Sequence, residues 1–369
     1  MRKTALIAVG CLFCWAGCNR GASSDDSGDS APSVETRGDL VADASIGDLL
    51  DLGFYTPGDQ VGDSAPETAA DTTMDITSDG PPVDSAVDWA ADEGSPDIPD
   101  QKPPVVWPLP AGTVGGDRPA PVWIPSDYSA EQNWPLVLLL HGFGVNGFLQ
   151  NGLFHLSPQV DDLGILLVVP EGIMNQDGEQ FWDAGWCCNW DHQPVDDVAY
   201  LISLVDEMAT QYNVDPGRVY AMGHSNGGFM AYRLACDAGD RFTAIMSLAG
   251  AQFKDPIECT PTHSVGVLQV HGTEDKNVPY EGGNHYLSAW DSANYWAAHN
   301  GCGDPVEGTI MNLDAELEGP ETVPTEWNGC PGSLRVALWS MEGIAHTPGI
   351  YNGTFAQLAV KFLLSQSKP

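Results

Sequence analysis

From about residue 104 onward the chain alternates unbroken apolar runs with runs that are apolar on one side only. Residues 135–140 and 165–169 are continuous apolar stretches bounded by turn residues, the pattern of strands buried on both faces. Between 195 and 212, Val198, Leu201, Ile202, Val205 and Met208 fall on one helical face. The same reading predicts a strand over 218–222, a helix over 229–238, strands over 242–248 and 265–270, a helix near 287–299, a strand over 335–341 and a helix over 354–364. Strands alternating with helices predict an α/β class with a mostly parallel, doubly wound sheet. In such sheets chemistry sits beyond the carboxyl ends of the strands. Residues 104–369 are long enough for one sizeable core and read as a single domain.

The preceding part of the chain has no such period. Residues 21–101 hold 20 acidic residues against one basic, Arg37, and are rich in Ser, Thr, Gly, Pro and Ala. A segment of this kind cannot bury enough apolar surface to offset its ordering entropy, so 19–103 is expected to be a disordered, self-repelling tether. Its acids, including Asp25, Asp26, Asp71, Asp75 and Asp79, fall in no repeated ligand loop, so calcium is not expected. The net charge of −37 would repel phosphates, which argues against nucleic acid as a partner. Arg2 and Lys3 precede an apolar run over 5–16, too short for a membrane span and of the length of a secretory signal. Its end, Ala16-Gly17-Cys18, resembles a bacterial lipoprotein signal, although Trp15 stands where that pattern usually has Leu. The resemblance implies a signal peptide over 1–18, acylation of Cys18 and attachment of the chain to a membrane at the cell surface.

Secretion would place the remaining cysteines in an oxidising setting. Cys187, Cys188, Cys236, Cys259, Cys302 and Cys330 are the disulfide candidates. Adjacent Cα atoms about 3.8 Å apart are closer than a disulfide normally spans, so Cys187 and Cys188 are expected to bridge to different partners. Cys302 and Cys330 are expected to pair around the segment between them. No second ligand pair has zinc spacing, so no metal site is expected.

The most specific motif is Gly223-His224-Ser225-Asn226-Gly227, placed between a predicted strand and a predicted helix. Gly-x-Ser-x-Gly at such a junction is a nucleophile elbow, which holds a serine hydroxyl clear of the sheet. A hydroxyl is a weak nucleophile at neutral pH; it needs a general base, and the base needs a carboxylate to fix its tautomer. The chain supplies them in the order serine, acid, histidine. Asp275 follows the strand at 265–270 in His271-Gly272-Thr273-Glu274-Asp275, and His346 follows the strand at 335–341 in Met341-Glu342-Gly343-Ile344-Ala345-His346. Glu274 is the neighbour to exclude as the acid. The oxyanion needs two fixed N–H donors, assigned to the backbone of Asn226 and of Phe143 in His141-Gly142-Phe143-Gly144. His141 is read as a structural residue bracing that turn. The pair Asp196 and Asp197 invites a glycosidase reading, but both head a predicted helix, where negative side chains favour the positive end.

Gly223 to Cys236, together with Gly185-Trp186-Cys187-Cys188, Val195-Asp196-Asp197-Val198 and His271 to Asp275, resembles the secreted polyhydroxybutyrate depolymerase and feruloyl esterase family, over nearly all of residues 110–364. The resemblance implies an α/β-hydrolase fold, a Ser225–Asp275–His346 triad and no metal or organic cofactor. The chain departs from the family pattern after His346, where Thr347-Pro348-Gly349 replaces the usual Trp-Pro-Gly.

Three tryptophans, Trp182, Trp186 and Trp190, lie in one loop, and Tyr280 lies in another; these are the candidate contacts for an acyl group or sugar. The expectation is a monomeric, surface-anchored serine esterase acting on esters of polysaccharide or polyester origin. An acetylxylan esterase, a serine peptidase on the same fold and a noncatalytic surface-binding lipoprotein are the alternatives.

Overall fold

A computed structural model describes residues 107–368; the signal segment, Cys18 and the acidic linker lie outside the described residues. The described chain builds a ten-stranded sheet. Its middle consists of β3 (Trp134–Leu140), β4 (Leu166–Val168), β7 (Val214–His224), β8 (Ala244–Leu248), β9 (Gly266–Gly272) and β12 (Val336–Met341). Those six pair in parallel, β4 with β3, then β7, β8, β9 and β12 in turn. This is the α/β-hydrolase fold expected from the sequence.

The parallel strands read as apolar runs because both faces are covered. Along β3 the side chains alternate between two cores: Leu136, Leu138 and Leu140 enter one, Val137 and Leu139 the other. Helices α3 (Asp197–Gln211), α4 (Asn226–Asp237) and α5 (Ala289–Asn300) cover the first face. The second is covered by α1 (Gly147–Phe154), the short α2 (Val160–Leu163) and α6 (Thr354–Leu364). Full burial of each Leu of β3 contributes about 1.5–3 kcal/mol relative to exposure, which anchors the strand that leads into the turn at His141.

Sequence periodicity missed the edges. At one edge β2 (Ala120–Trp123) pairs antiparallel with β4 and β1 (Gly112–Val114) antiparallel with β2; at the other β11 (Thr322–Trp327) pairs antiparallel with β12 and β10 (Pro305–Glu307) antiparallel with β11. β1, β2 and β10 span three or four residues, β10 is exposed along its length, and β11 is only half-buried between its ends, so none carries an apolar run to detect. A two-stranded pair, β5 (Ile173–Met174) and β6 (Gln180–Phe181), leads into the tryptophan-bearing loop. Cys302 and Cys330 pair as expected, and Cys236 pairs with Cys259. Cys187 and Cys188 are bonded to each other, which corrects the expectation of two separate partners. The 3.8 Å spacing assumed a trans peptide, whereas this one is cis and brings the two Cα atoms to 3.1 Å.

Candidate active site

Ser225 lies between the last residue of β7 and the first of α4, at φ 53 and ψ −117. A non-glycine residue at positive φ is strained by about 1–3 kcal/mol and persists only where its surroundings dictate it. Here the Ser225 amide donates to the Leu248 carbonyl at 2.8 Å, and its own carbonyl accepts from Phe229 at 3.0 Å. Gly227 shows why the turn admits no side chain: a Cβ there would lie 2.3 Å from the Leu140 carbonyl oxygen of β3. Close approach, rather than helix propensity, sets this segment, so α4 begins at Asn226, three residues ahead of the predicted start.

Asp275 and His346 come together. His346 Nδ1 lies 2.7 Å from Asp275 Oδ2, and both side chains are buried. Their loops are laced by Thr273 N to Met341 O at 2.9 Å, Glu274 N to Ile344 O at 3.0 Å and Gly343 N to Thr273 Oγ1 at 2.9 Å. They pack so tightly that a Cβ on Gly272 would meet the Ile344 carbonyl oxygen at 2.2 Å. Asp275 Oδ1 also accepts from the Asn277 and Val278 amides, both at 2.9 Å. Burial pushes the Asp275 carboxyl up, but hydrogen bonds from His271 and His346 and the charge of His346 outweigh it and hold it well below the usual carboxylate range. Glu274, the neighbour to exclude, is exposed.

Beyond His346 the chain is gripped by the segment inside the Cys302–Cys330 loop. Asp314 Oδ2 accepts the Gly349 amide at 2.7 Å, and Ala315 N donates back to Gly349 O at 2.8 Å. On the other side His224, beside Ser225, is buried with its Nε2 3.0 Å from the His346 carbonyl and its ring 4.9 Å from that of His346. Burial, followed by the charge of His346, pulls the His224 pKa down to about 3, so it stays a neutral donor to the His346 loop. In the sequence His224 carries no signal beyond its place in the pentapeptide.

The turn after β3 presents its amides selectively. Gly142 N donates to Gln150 Oε1 at 3.1 Å and Gly144 N to the Gln180 carbonyl at 2.9 Å. Between them, the Phe143 amide has no acceptor among the described residues, and neither has the amide of Asn226 at the start of α4. His141 braces the turn as read: its Nδ1 donates to Gly142 O at 2.7 Å and its Nε2 accepts from Gly172 N at 2.8 Å. Burial lowers its pKa to about 4 and keeps it neutral.

The aromatic candidates separate. Trp182 is fully buried, its indole N–H on the His141 carbonyl at 3.0 Å and its backbone paired with the Asn226 side chain at 2.8 and 3.0 Å. It therefore supports the turn after β3 and the elbow, which corrects its expected role as a substrate contact. Trp186 is half-buried and stacks on His285, ring centroids 4.9 Å apart. Trp190 is 44% exposed, with its ring 5.0 Å from that of Phe143. Tyr280 is half-buried, its hydroxyl 2.7 Å from Ser340 Oγ. Asp196 caps α3 through the Ala199 amide, and the buried Asp197 holds Arg118 at 2.6 Å and the Asp183 amide at 2.7 Å. Both acids are structural, as expected. Among the described residues no cluster of three His, Cys, Asp or Glu side chains could hold a metal, and no helix is long and apolar enough to cross a membrane.

Comparison with known proteins fits this geometry. Residues 154–254, which include the elbow, match the prolyl oligopeptidase family. The chain is 27% identical over 242 residues to feruloyl esterase B of Piromyces equi, covering 62% of this chain and 42% of that protein. It is 24% identical over 234 residues to a bifunctional acetylxylan esterase/xylanase of Neocallimastix patriciarum, covering 63% and 31%. Feruloyl esterase D of Neurospora crassa is 24% identical over 246 residues, covering 63% and 75%. The chain thus spans less than half the length of the first two relatives.

Proposed function

For this feruloyl esterase-like α/β-hydrolase, we propose the activity of a serine carboxylic-ester hydrolase that works through an acyl-enzyme. The observation that carries the reading is the buried 2.7 Å pair of His346 and Asp275, set at two strand ends beside an elbow that holds Ser225 at positive φ. His346 takes the proton of the Ser225 hydroxyl as its oxygen bonds to the ester carbonyl carbon. The carbonyl oxygen becomes an oxyanion facing the amides of Phe143 and Asn226, each worth about 3 kcal/mol in the transition state. The tetrahedral intermediate collapses, His346 gives the proton to the departing alcohol, and water then releases the acid by the same route in reverse. Asp275 holds Nδ1–H toward itself throughout, so that Nε2 is the basic nitrogen.

The acyl group this site suits best is aromatic. The exposed Trp190 and the Phe143 ring form an aromatic pair next to one oxyanion donor, a surface on which a phenolic ring can stack. The alcohol side would be a polysaccharide, with acetylated xylan and polyhydroxybutyrate as the competing substrates. Three disulfides fit an oxidising compartment, and attachment to a membrane through Cys18 with 19–103 as spacer completes the reading. The match to prolyl oligopeptidases favours peptide hydrolysis as the second reading. The test is hydrolysis of methyl ferulate, acetylated xylan, polyhydroxybutyrate, a nitrophenyl ester and a peptide nitroanilide, with Ser225→Ala as control. Among the unactivated esters methyl ferulate should be turned over fastest, and the nitroanilide not at all. Preference for the nitroanilide would replace the esterase reading with the peptidase one.

A further inference from the structure

One oxygen of Asp275 serves two imidazoles. Oδ2 lies 2.7 Å from Nδ1 of His346 and 3.2 Å from Nε2 of His271, whose side chain is completely buried. The protonation of His271 follows from its other partners. The Gly250 carbonyl, 2.8 Å from Gln269 Nε2, can only accept, so that end of Gln269 is the amide NH2. The Tyr232 hydroxyl donates to the opposite end, Oε1, at 2.8 Å, which fixes the same orientation. Gln269 Nε2 is also 3.0 Å from His271 Nδ1, so Nδ1 must be the acceptor and Nε2 carries the proton. That proton is shared between the Val278 carbonyl at 2.7 Å and Asp275 Oδ2 at 3.2 Å. From Tyr232 on α4 through Gln269 and His271 on β9, a buried chain of oriented groups thus ends on the carboxylate that faces His346.

Resting on the proposed esterase reading, we infer that His271 is a positioning residue for the reaction: a neutral imidazole, its tautomer locked by Gln269, that aims the Asp275 carboxylate at His346 and drains part of its charge. A donor on a carboxylate weakens it as a base, so His271 makes Asp275 a less forceful partner for the imidazolium of His346. Loss of that donor has two consequences. Asp275 is free to turn, and small misplacements of reacting groups cost as much as about 100-fold in rate. The carboxylate also holds the His346 proton more tightly, so activity is lost at a higher pH on acidification. The other titratable groups around this cluster are His224 of β7, which feels His346, Asp275 and His271; Tyr280, edge-on to His271 at 5.7 Å; and Tyr286, which feels Asp275. His224 stays neutral and the phenols are pushed up by burial, so none of the three takes up or releases charge over the assay range.

The experiment is the pH dependence of kcat and KM on a nitrophenyl ester for His271→Leu, His271→Gln and Ser225→Ala, each checked for fold by circular dichroism. His271→Leu should lose about 10–100-fold in kcat with KM little changed, and its acid limb should move to higher pH. His271→Gln, which can still accept from Gln269 and donate to Asp275, should restore most of the rate and the wild-type limb. A dead Ser225→Ala beside a His271→Leu enzyme with wild-type kcat and an unmoved limb would overturn the inference alone. Wild-type activity in Ser225→Ala would overturn the esterase reading and the inference with it. If His271→Leu fails to fold, His271→Phe, which keeps a planar ring but donates nothing to Asp275, must also move the limb upward, and an unmoved limb overturns the inference.

Discussion

Replacing Asp275 by Asn changes one oxygen for an NH2 group and leaves the volume of the site intact. The carboxylate takes the Asn277 and Val278 amides on Oδ1, both at 2.9 Å, and His346 on Oδ2 at 2.7 Å. Two amide donors demand an acceptor, so the Asn carbonyl must stay on that side, and its NH2 then faces His346 Nδ1. A donor now points at a donor. The imidazole can relieve this only by accepting at Nδ1, which moves its proton to Nε2, the nitrogen required to take the proton of Ser225. Loss of the correct tautomer costs about 10,000-fold in kcat, or about 5.5 kcal/mol at about 1.4 kcal/mol per decade. The assay is kcat/KM on a nitrophenyl ester at pH 7.5 alongside a thermal melt. Asp275 titrates below its unfolded value, so its stabilising contribution is complete above about pH 4 and is lost as pH falls through the folded value. Asp275→Asn should therefore lower Tm at pH 7.5, by less as the pH drops below 4. A folded variant that retains more than a tenth of wild-type kcat would refute the tautomer argument.

Other consequences follow from the same geometry. Trp190→Ala should raise KM for methyl ferulate by about fivefold, about 1 kcal/mol of stacking, and leave acetate esters unaffected; an equal change for both would remove the aromatic subsite. His224 has a folded pKa of about 3 and His141 of about 4, against about 6.5 when unfolded, so the unfolded chain binds more protons between those values. Stability should fall as pH is lowered from about 6.5 toward 4, and His224→Gln should flatten that slope in a series of thermal melts; an unchanged slope would contradict the assignment of His224 as neutral. Cys302→Ala with Cys330→Ala opens a 28-residue separation, for which chain entropy gives about 3.5 kcal/mol. Because Asp314 inside that loop holds Gly349 beyond His346, kcat should fall together with Tm.

The central strands were legible because residues such as Leu136 to Leu140 are buried on both faces and leave an unbroken apolar run. β10 and β11 at one edge were not, since the first is exposed throughout and the second half-buried between its ends, and neither presents an unbroken apolar run. The candidate site was legible through the elbow and the order of strand ends, because the spacing reflects the turn that Gly227 permits and the contact that Gly272 allows. Trp182 was misread because a loop tryptophan looks the same in sequence whether its indole faces solvent or the His141 carbonyl. Cys187 and Cys188 were misread because sequence does not reveal the peptide isomer between them. His224 and His271 stood in quoted motifs, but their service to His346 and Asp275 depends on contacts 122 and 4 residues away in sequence. A histidine one residue before the end of a parallel strand, four residues ahead of a candidate acid, was the signal that could have found His271.

The central claim is that Ser225 is the nucleophile activated by His346. Treatment with a fluorophosphonate ester, followed by intact-mass and peptide analysis, tests it most directly. One phosphonyl group should appear per chain, on Ser225, in step with loss of ester hydrolysis, and Ser225→Ala should neither react nor turn over substrate. Stoichiometric labelling of another residue, or hydrolysis by Ser225→Ala within tenfold of wild type, would contradict the account.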